Sequence, residues 1–126
     1  MTELWALGGS EAHVVLMNPS PDTLAEIESQ LRDDILHFGW LCQIVREHHP
    51  SFTDSEIVDC VTATVTHLAK DRVIVVGDAA EMGGIVQIQP WTIPQERVPA
   101  RITEAVTGSK DREFCFWIQL TKHFAA

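Results

Sequence analysis

The chain is poor in cysteine, in basic residues and in long apolar runs. Its three cysteines, Cys42, Cys60 and Cys115, are odd in number, and no two of them share a C-x-x-C spacing. That excludes the close ligand pair of a structural zinc site and a paired disulfide framework. Each thiol has an apolar neighbour (Leu41, Val61, Phe116), the setting of a buried free thiol in a reducing compartment. No apolar run approaches the roughly 20 residues that span a bilayer. The opening residues, "MTELWALGGSEAH", carry acids where a secretory signal carries bases, and their apolar run is short. These absences predict a cytoplasmic protein with no membrane partner.

Bases are half as numerous as acids. Nine Lys and Arg against 18 Asp and Glu give a net charge of −9. Such a surface repels nucleic acid at long range and attracts basic partners. It also keeps a small protein soluble, which needs no partner. The acids are scattered, with no acidic tail, internal repeat or low-complexity linker. The 126 residues therefore read as a single domain, 1–126. A chain of that length hides roughly two thirds of its unfolded surface, enough for a core.

Catalytic signatures are also missing. "RVIVVGDAAEMGGIVQIQPW", residues 72–91, is the most patterned stretch and the natural place to look for one. Its "VIVVGDA" resembles the strand-plus-Gly-Asp element of flavoprotein oxidoreductases. Those proteins also need an earlier G-x-G-x-x-G, and Gly8-Gly9 lacks that spacing. A phosphate cradle feeds a helix N-terminus and a P-loop carries a lysine; this loop feeds a second apolar run and has no lysine. Asp78 and Glu81 are two carboxylates without further ligands, weak grounds for a metal site. A solvated hairpin turn is the simpler reading. Ser10 in "GGSEA" lacks the G-x-S-x-G frame. The six histidines show no H-E-x-x-H or H-x-H spacing, so a metal cluster of His37, His48 or His49 with Asp59 is a minor alternative. No cofactor is expected.

What is present is periodicity. Residues 1–20 hold two short apolar runs, "TELWAL" and "HVVLM", which read as a strand or arm. Residues 22–71 form the helical part. Leu24, Ile27, Leu31, Ile35, Phe38, Leu41, Cys42 and Val45 recur at steps of three and four, over one helix or over two with Asp33 recapping the second. Ser20 or Asp22 is the first N-cap, and "EHHP" is the stop. Thr53 and Glu56 have capping-box spacing for a second helix, buried along Ile57, Val58, Val61, Val65, Leu68 and Ala69. Residues 72–121 hold the strand–loop–strand hairpin with "GDAAEMGG" as its loop, then a short helix with Pro99 near its start and Gly108 as its C-cap. Last comes a strand, "EFCFWIQLT".

A helix pair followed by strand–loop–strand resembles the winged-helix architecture, with "GDAAEMGG" as the wing. Within it, "FTDSEIVDCVTATVTHLAKDRVIVVGD" resembles the segment in which a helix turns into the first wing strand. The likeness covers roughly residues 33–121 and extends to small bacterial proteins that add a "PW", a short helix and an "FWIQLT"-like strand. It implies an α+β fold with helices packed on a small antiparallel sheet and a β-hairpin wing. It implies no single function, because this architecture serves regulators and protein-binding modules alike.

A winged-helix DNA reader presents Arg, Lys, Asn or Gln to the duplex. Here the exposed side of residues 54–70 offers Asp54, Glu56, Asp59, Thr66 and Lys70, and the wing offers Asp78 and Glu81. The sign is wrong for phosphate. A DNA-binding transcriptional regulator is thus the second reading, with Arg97, Arg101 and Arg112 as its sources of positive charge. A small enzyme or metal binder is the third. The first is a non-enzymatic, acidic protein-binding module of immunity or antitoxin type that neutralises a basic protein partner. Its predicted partner-binding residues are Asp54, Glu56, Asp59, Asp78 and Glu81. Trp5, Phe52 and Trp91 are alternative anchors, set against the simpler roles of Phe52 stapling a helix start and Trp91 covering the hairpin. The final strand, as a sheet edge, predicts a homodimer.

Overall fold

A computed structural model describes residues 18–124 of the chain. The predicted strand or arm at 1–20, with Trp5, Ser10 and His13, lies outside them except for its last three residues. Among the described residues are five α-helices and one four-stranded antiparallel sheet, an α+β arrangement. None of these helices is long and apolar enough to cross a membrane.

Helix α1 (Pro21–Leu31) starts at Ser20, whose hydroxyl accepts from the Thr23 N–H at 3.2 Å, with Pro21 in the first turn where no N–H is needed. It buries Thr23, Ile27 and Leu31. The chain then departs from the periodic reading. Residues Leu36–His37 form strand β1, and α2 (Phe38–His48) begins only after it. The helical spacing does not persist as one helix: Leu31 is buried on α1, Ile35 is half-buried in the connection and Phe38 is buried at the start of α2. The second N-cap is therefore His37, which accepts from the Trp40 N–H at 3.2 Å, and not Asp33.

Helix α3 (Asp54–Lys70) follows a complete capping box. Thr53 Oγ1 accepts from the Glu56 N–H, and Glu56 Oε1 accepts from the Thr53 N–H. It buries Ile57, Cys60, Val61, Thr64, Val65 and Leu68. The Thr64 hydroxyl is satisfied by donating to the Cys60 carbonyl at 2.7 Å.

The hairpin differs most from expectation. Strands β2 (Ile74–Met82) and β3 (Ile85–Pro90) pair without interruption from Gly77↔Pro90 to Met82↔Ile85. Most of "GDAAEMGG" is thus strand, and the turn is only Gly83-Gly84. Both glycines have positive φ, 64° and 82°, as a two-residue primed turn demands. Cross-strand pairing, present for each residue from 77 to 82, overrides the low strand propensity of Gly, Asp and Ala.

After β3 come a 3₁₀ turn (Gln95–Arg97), α4 (Val98–Gly108), a second 3₁₀ turn (Arg112–Phe114), β4 (Trp117–Leu120) and the single turn α5 (Thr121–Phe124). The predicted last strand is thus shortened at both ends. Gly108 is the final residue of α4 rather than its cap, which is Ser109. The sheet order is β1-β4-β2-β3. Strand β4 is therefore interior, not the edge expected for a homodimer contact.

Directly opposed residues share a face, and faces alternate along each strand. One face carries Leu36, Ile118, Val76, Ile74 and Leu120, all buried in a single core with the helices. The other carries His37, Trp117, Gly77 and, two and four residues on, Ala79 and Glu81.

Candidate functional site

The five predicted acids do not form one free acidic face. Asp54 is exposed and pairs with Arg46 at 3.5 Å. Glu56 is half-buried and closes the capping box. Asp59 is also half-buried and engaged. Asp78 Oδ1 accepts from Trp91 Nε1 at 3.1 Å and lies 3.8 Å from the Arg101 guanidinium. Glu81 is exposed, and its side chain makes no hydrogen bond or ion pair among the described residues. Because residues 77–82 are strand rather than loop, Asp78 and Glu81, three apart, project from opposite faces of the hairpin.

Glu81 shares its face with its cross-strand partner Val86, and Val86 borders an open cavity. This cavity, of about 570 Å³, lies between the hairpin and the α1–β1–α2 junction. Val86, Trp40, His37 and Trp117 line it, with Asp33 and Asp34 on the same wall. Two of the lining apolar side chains stay in water, Trp40 at 44% exposed and Val86 at 48%; Phe114, 46% exposed, packs on the lining rings of His37 and Trp117. The aromatic rings are ordered against one another. His37 meets Phe114 and Trp117 edge-on at 4.6 and 5.1 Å, and Phe114 stacks on Trp117 at 6.0 Å. Trp40 is anchored by its indole N–H, which donates to Gln30 Oε1.

Each element has a local reason to contribute. His37 is fixed by capping α2, Trp40 sits in the first turn of that helix, and β1–β4 pairing sets His37 opposite Trp117. The cleft thus combines rigid aromatic surface with carboxylates, among them the exposed Asp33 and Asp34. Chemically it can cover an apolar side chain and attract a cation, through the acids and through the face of Trp40. Sequence reasoning missed it. The exposed aromatics and Asp33-Asp34 were visible as residues, but they belong to segments brought together only by the sheet.

His37, His48, His49 and His67 have structural partners. His49 Nε2 meets the Thr23 hydroxyl at 3.2 Å, and its ring stacks on Phe52 at 4.4 Å. His48 Nε2 donates to Glu26 at 2.8 Å and holds that carboxyl below the usual carboxylate range. Phe52 and Trp91 are both half-buried, and Trp91 packs on Phe116 at 5.7 Å beneath the Arg101 guanidinium. No group of three or more His, Cys, Asp or Glu is placed to hold a metal ion among the described residues. Burial pushes the Cys42, Cys60 and Cys115 thiols up to about 11, away from nucleophilic use. Arg101 is engaged with Asp78 and Trp91, and Arg112 lies beside the Phe38 ring.

Comparison of the chain with protein-family models, with curated proteins and with solved structures finds no match.

Proposed function

We propose that this protein is a non-enzymatic protein-binding module of winged-helix type, acting as an immunity or antitoxin protein that neutralises a basic partner. It takes an apolar, basic segment of that partner into the cleft between the hairpin and the α1–β1–α2 junction. The winged-helix part is supported by the succession of α2, α3 and the β2–β3 hairpin; β4, between β1 and β2, is an addition to that plan.

The observation that carries the function is the exposure of Trp40 and Val86 on a cavity that also presents Asp33 and Asp34, with exposed Phe114 packed on its His37 and Trp117 rings. Aromatic side chains clustered in water are the usual anchors of protein interfaces. The acids select the sign of the partner and speed its approach. Glu81, on the Val86 face, adds to them.

A library of displayed random peptides, panned against the full chain, tests this. Selected peptides should combine Lys or Arg with a large apolar residue. Trp40→Ala should weaken them about tenfold, and Asp33→Lys with Asp34→Lys should slow association and blunt its salt dependence. Selection of uncharged or acidic peptides, or binding indifferent to Trp40→Ala, would count against the cleft. Tight, salt-sensitive binding of duplex DNA would favour the regulator instead.

A further inference from the structure

Bases are scarce in this chain, so the place where they gather is informative. Three of the nine, Arg32, Arg72 and Lys122, line one cavity of about 570 Å³ that shares no lining residue with the aromatic cleft. They arrive from the C-cap of α1, the end of α3 and the single turn α5. Arg46 and Arg101 are neutralised by acids, whereas these three form no ion pair among the described residues. Like charges around one hollow repel each other, more so where water is partly excluded.

Arg72 is unusual in its backbone as well. Helix α3 ends in a Schellman motif: the Val73 N–H donates to the Leu68 carbonyl at 2.9 Å and the Arg72 N–H to the Ala69 carbonyl at 3.0 Å. The residue at the left-handed position of that motif is usually glycine. Here it is Arg72, at φ 61°, the one non-glycine residue with positive φ among the described residues. An L side chain is sterically disfavoured there. Thr121 clamps the same backbone, its hydroxyl donating to the Arg72 carbonyl at 2.8 Å and its N–H to the Val73 carbonyl at 2.9 Å. Strained residues held in place by their surroundings cluster at binding sites, and Arg72 combines that strain with a place in a cavity lining.

The rest of the lining completes the chemistry. Val73, 37% exposed, and Leu120 give an apolar wall. Glu28 is the single acid among the lining residues. The volume lies in the small-ligand range of roughly 300–1,000 Å³.

We propose that this cavity binds a small phosphate monoester. Arg32, Arg72 and Lys122 receive the phosphate, and Val73 and Leu120 cover the apolar part of the ester. Three cations suit a dianion, and the arginine fork matches phosphate oxygens. Glu28 disfavours a larger polyanion. The net charge of −9 repels a nucleic acid, so the ligand is a small molecule rather than a polynucleotide.

The test is a titration of the full chain with hexyl phosphate, followed by amide chemical shifts, with inorganic phosphate, hexanoate and hexanol as comparisons. Saturable shifts centred on Arg32, Arg72, Val73 and Lys122 are expected with hexyl phosphate. Inorganic phosphate and hexanoate should bind more weakly and hexanol not at all. Arg72→Gly separates binding from folding. Glycine relieves the left-handed strain, so the denaturation midpoint should hold or rise while affinity for hexyl phosphate falls about tenfold. Lys122→Ala should weaken binding in the same direction. Unchanged affinity in Arg72→Gly, equal binding of hexanol or hexanoate, or shifts that spread over the surface without saturating would each overturn the assignment. Displacement of hexyl phosphate by duplex DNA at physiological salt would replace the small molecule with a nucleic acid.

Discussion

Gly77 faces Trp117 across the β2–β4 ladder at the one residue where β2 changes partner. On its other side it faces Pro90 of β3. A methyl group built at this position would fall 2.0 Å from the Gln89 carbonyl oxygen and 2.8 Å from the Pro90 Cα, both backbone atoms. The hairpin can therefore cross β4 only with glycine here. Gly77→Ala should cost about 1–3 kcal/mol in urea denaturation. It should also disturb the amide signals of Trp117 and Val86, which the crossing positions. A variant with unchanged stability would show that the two ladders slide freely past each other.

Thr53 and Glu56 give a second, local prediction. Thr53→Ala removes the acceptor for the Glu56 N–H and should destabilise the fold by about 1 kcal/mol. Glu56→Gln keeps an acceptor for the Thr53 N–H and should cost less. The same residue, read from sequence as a partner contact, would then be seen to act on α3 itself. If Glu56→Gln proved the more damaging of the two, charge at the helix start would matter more than the cap.

How far the sequence discloses this protein depends on the range of the interactions. The capping box and the stop at His48 are readable because neighbours three or four residues apart set them. Strand β1 is not readable. Two residues carry no period, and their pairing partners Ile118 and Trp117 lie about eighty positions away. Residues 77–82 fail for a related reason, since their composition is that of a turn and only β3 makes them strand. The acidic character of the chain is visible in its composition. That Asp78 is tied to Trp91 while Asp33 and Asp34, the latter accepting from the Ile35 N–H, line the cavity with Trp40 and Trp117 is set by tertiary placement. The Arg32, Arg72 and Lys122 cluster is hidden in the same way, spread over 90 positions.

Acid should loosen the α1–α2 pair. The hydrogen bond from His48 lowers the Glu26 carboxyl below its ordinary 4.5 in the folded state. A depressed carboxylate contributes stability that is fully present above its unfolded value and is lost as pH falls through the folded one. Denaturation midpoints should therefore hold at neutral pH and drop below pH 4.5. Glu26→Gln should start lower and lose less over that window. An identical pH profile in the variant would assign the acid sensitivity to other carboxylates.

The three thiols should report opening rather than reactivity. Cys60 is fully buried and Cys42 nearly so, and burial raises all three to about 11. In the native protein a thiol reagent should modify Cys42 and Cys60 slowly, at rates that follow unfolding and rise with urea. Half-buried Cys115 should react first. Immediate native labelling of Cys60 would contradict its place in the core.

Self-association should run through β3 and not through β4. The interior position of β4 removes the edge that the sequence implied, and the hairpin supplies another. Among the described residues β3 is a sheet edge; it reads "IVQIQP", without a single charge, and leaves Ile85 63% and Val86 48% exposed. Natural edges are blunted by charge, bulges or proline; here only Pro90, at its far end, serves. An antiparallel β3–β3 contact with a second copy would continue the sheet and cover Ile85 on both chains. Sedimentation at high micromolar concentration should detect a weak dimer. Ile85→Lys should abolish it, because like charges would meet across the new ladder while the turn glycines and the β2 pairing stay intact. A dimer that survives Ile85→Lys would lie elsewhere. Monomer alone at that concentration would mean that the uncharged edge is tolerated without being used.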